Sequence, residues 1–301
     1  MLYKARTKST ELLILQSLNT RMELLTKDKQ RYLNLKKGYE GEVMFDSLTE
    51  NLQCDCLIIN DLLLKLNHTT FQIDSLILTS ETIHIFEIKN FEGDYFYEKD
   101  CLYTKNKSEI NNPFIQLRRS ESLFRQLLHS LGYNLSIAPL VVFINPEFTL
   151  YQAPLNMPFI FPSQINRLLS KFNIISKKLN DIHNKLADKL ISLQAEDHPY
   201  AQLPTYNYDE LRKGMICSSC NSFFLSLEGG IVICKDCGHK EKVSTAVVRS
   251  IEEYKLLFPQ RKVTTNAIVD WCNIFISKKR IQRILNENYK IIGVHQWSHY
   301  I

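Results

Sequence analysis

The sequence predicts a mixed α/β fold, in which helices cover a sheet that contains both parallel and antiparallel strands. Three observations support this: apolar residues at helical spacing over residues 10–37, three strand-like runs with short connections over residues 56–90, and a further helix and buried strand over residues 113–144. This order of elements is typical of one covered sheet, for which about 110 residues are enough.

Each element in the first part of this region has a local signal. The first predicted helix ends at a glycine-marked junction over residues 38–42, and a second helical stretch begins at Val43. Short reversals predict that the strands over residues 56–65, 71–79 and 82–90 form an antiparallel meander. The sheet is therefore expected to be built mainly from consecutive strands.

After the meander, the sequence predicts a ribbon, two helices and a further strand. Residues 93–104 are expected to form a short ribbon, and Pro113 suits the first turn of a helix that runs to Gly132. Residues 137–144 are apolar and long enough for a buried strand. An apolar stripe over residues 165–193 predicts one long amphipathic helix.

Composition and charge narrow the class of protein. The 301 residues are 45% apolar and 23% charged, which excludes intrinsic disorder, and the length predicts two or three domains. The formal net charge is +5, but residues 240–301 hold 11 basic and 5 acidic residues, a net of +6. No membrane span and no secretion signal are evident, so we expect a cytoplasmic protein without a disulfide framework.

Three acidic residues and a lysine are predicted to form a metal-dependent site. Glu87 and Lys89 are two apart in a strand, so they project from the same face, and Asp74 lies next to them across the hairpin. Such carboxylates suit Mg²⁺, which can activate a water for attack on a phosphodiester. Glu42, early in a helix that faces the sheet, is expected to complete the coordination. The alternative is an ordinary cross-strand Glu–Lys pair, with Asp74 at a solvated edge.

Five short motifs carry a family resemblance over residues 36–145: Gly38-Tyr-Glu-Gly-Glu42, Gln72-Ile-Asp74, Phe86-Glu-Ile-Lys89-Asn90, Gly93 and Asn112-Pro-Phe-Ile-Gln116. Together they resemble the nuclease-related domain, NERD, of the restriction-endonuclease-like PD-(D/E)xK superfamily. The resemblance implies metal binding by Asp74 and Glu87, a catalytic role for Lys89, and a site lined by Glu42 and Gln116. Ser75 stands where many members have histidine, so any role of that histidine is absent here.

Four of the eight cysteines form two C-x-x-C pairs separated by 13 residues: Cys217, Cys220, Cys234 and Cys237. Four thiolates on two tight turns predict a zinc ribbon whose tetrahedral Zn²⁺ is structural, because a closed site leaves no position for substrate. Glu-Gly-Gly over residues 228–230 predicts the connecting hairpin, and Gly238 permits a positive φ. The alternatives are a redox-active pair and the replacement of one cysteine ligand by His239.

The basic C-terminal segment is predicted to contain three helices and a terminal ribbon over residues 289–297. Ser277 is expected to cap the third helix, with Ile281 and Ile284 facing inward. The outward residues of that helix are Lys278, Lys279, Arg280, Gln282 and Arg283. This resembles a helix-turn-helix or winged-helix module whose basic helix contacts DNA. The alternative is a solvated charged face.

Together these features predict a Mg²⁺- or Mn²⁺-dependent nuclease that acts on nucleic acid, DNA in particular, and holds a structural Zn²⁺. The predicted segments are a helical segment over 1–37, the nuclease-like domain over 38–145, a connecting segment with the long helix over 146–197, a linker over 198–214, the zinc ribbon over 215–240 and the basic domain over 241–301. One alternative is a non-catalytic DNA-binding or regulatory protein. Another is a scaffold that forms a homo-oligomer through the 165–193 helix.

Overall fold

The computed structural model of the chain describes residues 1–174, 177–195, 203–273, 276–293 and 298–301. The chain divides into two compact units: unit 1 is Met1–Ser9 with Leu33–Ala201, and unit 2 is Thr10–Tyr32 with Gln202–Ile301. The predicted N-terminal segment, residues 1–37, is therefore divided between the two units. The single helix predicted over residues 10–37 is wrong, because the structure has one helix over Thr10–Arg21 and a second that begins at Thr26. Local periodicity carried no information about which core each of them joins.

The described residues form helices and short or medium strands in both units. The helices are α1 (Thr10–Arg21), α2 (Thr26–Thr49), α3 (Pro113–Ser130), α4 (Pro162–Asn173), α5 (Asp181–Ser192), α6 (Val243–Leu257), α7 (Thr265–Cys272) and α8 (Lys278–Asn288). The strands are β1 (Leu2–Lys4), β2 (Leu57–Leu66), β3 (Thr69–Leu78), β4 (Thr82–Lys89), β5 (Gly93–Glu98), β6 (Cys101–Thr104), β7 (Glu109–Ile110), β8 (Ser136–Phe143), β9 (Phe148–Tyr151), β10 (Phe159–Ile160), β11 (Leu225–Glu228), β12 (Ile231–Cys234), β13 (Lys240–Lys242), β14 (Ile291–Ile292) and β15 (His299–Tyr300).

Unit 1 is built on a six-stranded mixed sheet in the order β1-β2-β3-β4-β8-β10. The antiparallel meander of β2, β3 and β4 is confirmed, and β4 pairs in parallel with β8. One face is covered by α3 and α5, whose Phe124 and Leu186 are fully buried there, and the other by α2 and α4 through Phe45 and Ile165. The predicted α/β class with a mixed sheet is therefore confirmed.

The predicted break at residues 38–42 is wrong, because α2 runs through both glycines of the junction. A Cβ added to Gly41 would lie 2.5 Å from the Cβ of Asn90, whereas one on Gly38 would meet no atom within 4 Å. Gly41 is therefore required by close packing of the helix on the end of β4, and not by a turn. Glu42 consequently lies inside a helix and not near its start.

The single long helix predicted over residues 165–193 is also wrong: the described residues there form α4 and α5, while residues 175–176 lie outside the described part. The reason is the cap of α5, where the Asn180 side chain accepts a hydrogen bond of 3.0 Å from the backbone N–H of Ile182. Most apolar residues of both helices are buried in unit 1, although Ile182 of α5 is exposed. They do not form the exposed stripe on which an oligomer was expected.

The ribbon predicted over residues 93–104 is present as β5 and β6, and it extends into a second sheet in the order β7-β6-β5-β9. The short strand β9 joins it by parallel pairing with β5. Within the described part of the chain, no helix has the length and apolar character needed to cross a membrane.

Unit 2 combines a three-stranded ribbon, the sheet β11-β12-β13, with α1, α6, α7 and α8. Its core surrounds Trp271, which is fully buried with Tyr254 and with Leu18 of α1. After α8, β14 pairs with β15, and Val263 forms a bridge to Tyr300. Three helices and a short two-stranded ribbon are therefore present in the basic segment, while residues 294–297 of the predicted terminal ribbon lie outside the described residues.

Candidate active site and metal centre

The structure brings Asp74, Glu87 and Lys89 together at one end of the unit 1 sheet. The β3–β4 ladder ends at the pair Ser75↔Phe86, and just beyond it the Asp74 carboxylate accepts a hydrogen bond of 2.8 Å from the backbone N–H of Ile88. The Lys89 Nζ lies 2.6 Å from Glu87 Oε1. Asp74 is 7% exposed and Glu87 2%, so these are buried carboxylates and not a solvated strand edge.

Gln116 reaches the same cluster from the first turn of α3. Asn112 caps this helix by accepting a 3.0 Å hydrogen bond from the backbone N–H of Phe114, and Pro113 occupies its first position. From that turn the Gln116 Oε1 accepts a hydrogen bond of 3.3 Å from Lys89 Nζ. Lys89 is thus held between a carboxylate and an amide.

Glu42 lies in α2 and is paired with a residue that sequence reasoning missed. The Arg6 guanidinium donates to Glu42 Oε2 at 2.6 Å and to both carboxylate oxygens of Asp46 at 2.9 and 3.0 Å. Asp46 follows Glu42 by one helical turn, so both face the same guanidinium. Nothing in the local sequence around Arg6 signals these contacts, which join residues about 40 positions apart.

A further carboxylate, Asp61, lies opposite Asp74 in the β2–β3 register, between the pairs Asn60↔Ser75 and Leu62↔Ile73. Its φ is 56°, a left-handed conformation that costs energy for a residue other than glycine. Asp61 was not predicted from the sequence. No residue close to it along the chain indicates that it lies opposite Asp74. The backbone strain therefore coincides with the most acidic part of the sheet.

Burial and crowding raise the pKa of the site carboxylates. Burial, and then the charge of Asp74, raise the pKa of both Glu87 and Glu42 to about 8. Burial also raises the pKa of Asp74, with a smaller contribution from the charge of Asp61. Burial lowers the pKa of Lys89, but the charges of Glu87 and Asp74 outweigh it and the net pKa is raised, which keeps the lysine protonated.

The acidic side chains of this site are suited to binding a divalent metal ion. They offer carboxylate oxygens, the ligands that Mg²⁺ and Mn²⁺ prefer. Among the described residues, Asp74, Glu87 and Glu42 do not form a compact group of three ligand atoms, so binding of an ion would require their side chains to move closer together. The raised pKa values of Glu42 and Glu87 mean that the nearby cations, Arg6 and Lys89, do not fully compensate the negative charge. A bound cation would supply the missing positive charge.

A family comparison agrees with this geometry. Residues 37–144 match the family model of the nuclease-related domain, NERD. Asp74, Glu87, Lys89, Glu42 and Gln116 all fall inside the match. No curated protein and no solved structure matches the chain.

The candidate metal centre of unit 2 lies outside residues 37–144 and consists of four thiols. The sulfurs of the four cysteines all lie within 4.8 Å of one another, with Cys217 3.6 Å from Cys237 and Cys220 3.5 Å from Cys234. Among the described residues this is the only cluster of three or more such ligand atoms, and His239 is not part of it. The arrangement fits a zinc ribbon with four cysteine ligands.

Two similar turns shape this centre. The backbone N–H of Asn221 donates to the carbonyl of Cys217, and that of Gly238 to the carbonyl of Cys234, both at 3.0 Å. Asn221 and Gly238 have φ of 60° and 73°. The prediction for Gly238 is confirmed, and asparagine, which tolerates the left-handed region, has the same place in the first turn. The backbone N–H of Cys237 lowers the pKa of Cys234 to about 7, although burial opposes it.

The predicted hairpin between the cysteine pairs is present. Strands β11 and β12 pair from Leu225↔Cys234 to Glu228↔Ile231, and Gly229 takes a φ of 63° in the connecting turn. The Arg280 Nη1 of α8 donates to the carbonyl of Gly229 at 3.3 Å. Arg280 therefore binds the ribbon turn and is not fully available to a ligand.

The remaining polar residues of α8 project to solvent as predicted. Ser277 caps the helix, and Ile281 and Ile284 are buried. The side chains on the exposed face are Lys278, Lys279, Gln282 and Arg283. Arg283 lies 3.7 Å from Glu287 one turn later and forms an exposed ion pair with it, which contributes little to stability.

Proposed function

We propose that the nuclease-related domain hydrolyses phosphodiester bonds in DNA with Mg²⁺ or Mn²⁺ as cofactor. The observation that carries this proposal is the convergence of Asp74, Glu87 and Lys89 at one sheet end, within the residues that match the family. A structural Glu–Lys pair does not require a second buried carboxylate beside it, because that carboxylate costs free energy when it ionises.

Each residue has a role that follows from its contacts. A bound Mg²⁺ lowers the pKa of a coordinated water and neutralises phosphate charge. Asp74 and Glu87 would hold the ion, with Glu42 beside them. Lys89 has three N–H donors; one is directed to Gln116, and the Nζ forms an ion pair of 2.6 Å with Glu87 Oε1, so a donor is left for the attacking water or a phosphate oxygen. Because Lys89 stays protonated, it stabilises the negative charge of the transition state and does not act as a base.

The test is cleavage of plasmid DNA by the purified full chain in Mg²⁺ or Mn²⁺. We expect Lys89→Ala and Asp74→Ala to slow cleavage by at least about 10²-fold, the typical cost of removing one group that stabilises the transition state. Lys105→Ala is the matched control, since Lys105 also pairs with a carboxylate, that of Asp94, but on the exposed surface. If all variants cleave like the wild type, or if the wild type does not cleave, the catalytic proposal fails and a non-catalytic DNA-binding function replaces it.

We further propose that the exposed face of α8 contacts the DNA backbone. Unit 2 carries the positive excess of residues 240–301, and three cations lie on this face: Lys278, Lys279 and Arg283. Each phosphate contact contributes about 0.9 to the slope of log affinity against log salt. Replacing all three cations by glutamine should therefore lower the slope by up to about 3 and weaken binding.

The control for this experiment removes the same charge elsewhere. Lys27, Lys29 and Lys65 are exposed lysines outside α8, and replacing them by glutamine changes the net charge equally. If both triple variants lose the same affinity, the effect is one of net charge and α8 has no special role. A third assignment, that the four thiols hold a structural Zn²⁺, rests on the compactness of the cysteine cluster.

A further inference from the structure

The N-terminal strand β1 lies outside residues 37–144 and yet completes the sheet that carries the candidate site. It pairs in parallel with β2, with Leu2 opposite Ile58. The Lys4 Nζ then donates to the backbone carbonyls of Asn60 and Asp61 at 2.6 and 2.7 Å. The chain is therefore fixed against β2 immediately before Arg6.

Arg6 uses this anchor to place a buried cation inside the carboxylate cluster. Its side chain is 2% exposed, and it binds Glu42 and, with two hydrogen bonds, Asp46. The fourth contact is a hydrogen bond of 2.7 Å from Nη2 to the backbone carbonyl of Asp74. One planar group thus joins helix α2 to the middle of strand β3.

We propose that Arg6 is a positioning residue of the candidate active site: its guanidinium fixes the Glu42 carboxylate and the Asp74 backbone relative to each other. The proposal rests on the proposed function, because it assigns Arg6 a part in that same site. Arg6 acts through Glu42 and Asp74 and does not itself touch the substrate. The nuclease-related domain of this chain consequently depends on residues before its matched start.

The geometry requires arginine in particular. A guanidinium presents five N–H donors in a rigid plane, and here they reach three acceptor groups on two elements. A lysine retains the positive charge but is a single point donor on a flexible stem, so it cannot span Asp46, Glu42 and the Asp74 carbonyl together. Arg6→Lys therefore separates positioning from charge compensation.

The experiment compares the wild type with Arg6→Lys for Mn²⁺ affinity by calorimetry, for cleavage kinetics, and for amide exchange over residues 86–89, where the Ile88 N–H is bonded to Asp74. Residues that orient metal ligands typically contribute about 10- to 100-fold. We expect Mn²⁺ affinity and kcat to fall by about 10-fold or more, with KM for DNA within about 2-fold. Exchange over residues 86–89 should accelerate, while that over residues 136–143 stays the same.

Two further variants test the same contacts of the guanidinium. Asp46→Asn loosens the same guanidinium and should give a weaker effect in the same direction. Arg21→Lys is the matched control, because Arg21 is equally buried and binds Glu253 and two backbone carbonyls, but in unit 2. Arg6→Lys with wild-type Mn²⁺ affinity and wild-type exchange overturns the proposal. If the wild type neither binds Mn²⁺ nor cleaves DNA, the proposed function fails, and the exchange over residues 86–89 alone decides whether Arg6 positions Asp74.

Discussion

The carboxylate site of unit 1 and the cysteine centre of unit 2 differ in how far apart in sequence their parts lie. The four cysteines fall within residues 217–237, on two turns joined by one hairpin. The carboxylate site takes Arg6 from before β2, Glu42 from a helix, Asp74 and Glu87 from neighbouring strands, and Gln116 from the next helix. The first is formed by local geometry, and the second exists only when the whole of unit 1 is folded.

The two sites also differ in their relation to stability. Four thiols around one ion form a closed set whose binding free energy is folding free energy. The carboxylates of unit 1 are crowded and have raised pKa values, so they oppose folding when no ion is bound. If both proposals hold, unit 2 gains stability from its metal, whereas unit 1 loses stability to the crowded carboxylates of its candidate site.

The largest expected effect is the loss of the cysteine centre. In small zinc domains, zinc contributes an apparent 10–16 kcal/mol, roughly, to folding. Cys217→Ser with Cys234→Ser should therefore abolish zinc binding, measured by elemental analysis, and remove amide-exchange protection from residues 217–242. Cys101→Ser, which changes a cysteine outside the cluster, is the control. Zinc retained by the double variant would contradict the assignment of these ligands.

The difference between the sites also explains how much of each could be predicted. The cysteine centre could be predicted from the spacing of its residues alone, because a C-x-x-C turn by itself brings its two sulfurs close together. Glu87 and Lys89 followed from the two-residue period of a strand, and Asp74 from the hairpin. Arg6 and Asp61 could not be predicted, because their contacts depend on the register of β1 and β3 against β2.

The secondary-structure elements also differ in how well the sequence predicts them. The meander, α3 and β8 were predictable because each has a strong period and clear ends. The short strands β1, β9 and β10 were missed, since two to four residues are too few for a period to show. The course of α2 was misread at Gly41, where the sequence shows a glycine but not the Asn90 side chain that requires it.

A substitution at Gly41 tests the packing that brings α2 to the carboxylate site. Gly41→Ala places a Cβ 2.5 Å from Asn90 Cβ, an atom that cannot move without its backbone, so we expect a loss of about 1–3 kcal/mol in the free energy of unfolding. Gly38→Ala, in the same helix but with no atom within 4 Å, should raise stability by up to about 1 kcal/mol. Urea unfolding measures both, and equal effects would contradict this account of α2.

The smallest expected effect concerns the stability of unit 1. It tests most directly how much the crowded carboxylates lower the free energy of unfolding. In the absence of added divalent metal, Glu87→Gln should raise the free energy of unfolding at pH 8 by about 1 kcal/mol, within the range typical of neutralising a functional site. The reason is that glutamine fills the same space without the charge that Asp74 opposes. Glu50→Gln, in the exposed turn that follows α2, is the control and should change stability by less than about 0.5 kcal/mol.

The stability of the wild type is expected to depend on pH, and this dependence decides the direction of the effect of Glu87→Gln. The pKa of Glu87 is raised to about 8 in the folded protein from an ordinary value of 4.5, because burial and the charge of Asp74 disfavour the ionised form. The unfolded chain releases this proton near pH 4.5 and the folded chain near pH 8, so the wild type loses stability as the pH rises between these values. Glu87→Gln should lose less over the same interval. If the two proteins instead show parallel stability from pH 5 to pH 8, Glu87 is already compensated by Lys89, and the carboxylate site does not carry the cost that distinguishes it from the cysteine centre.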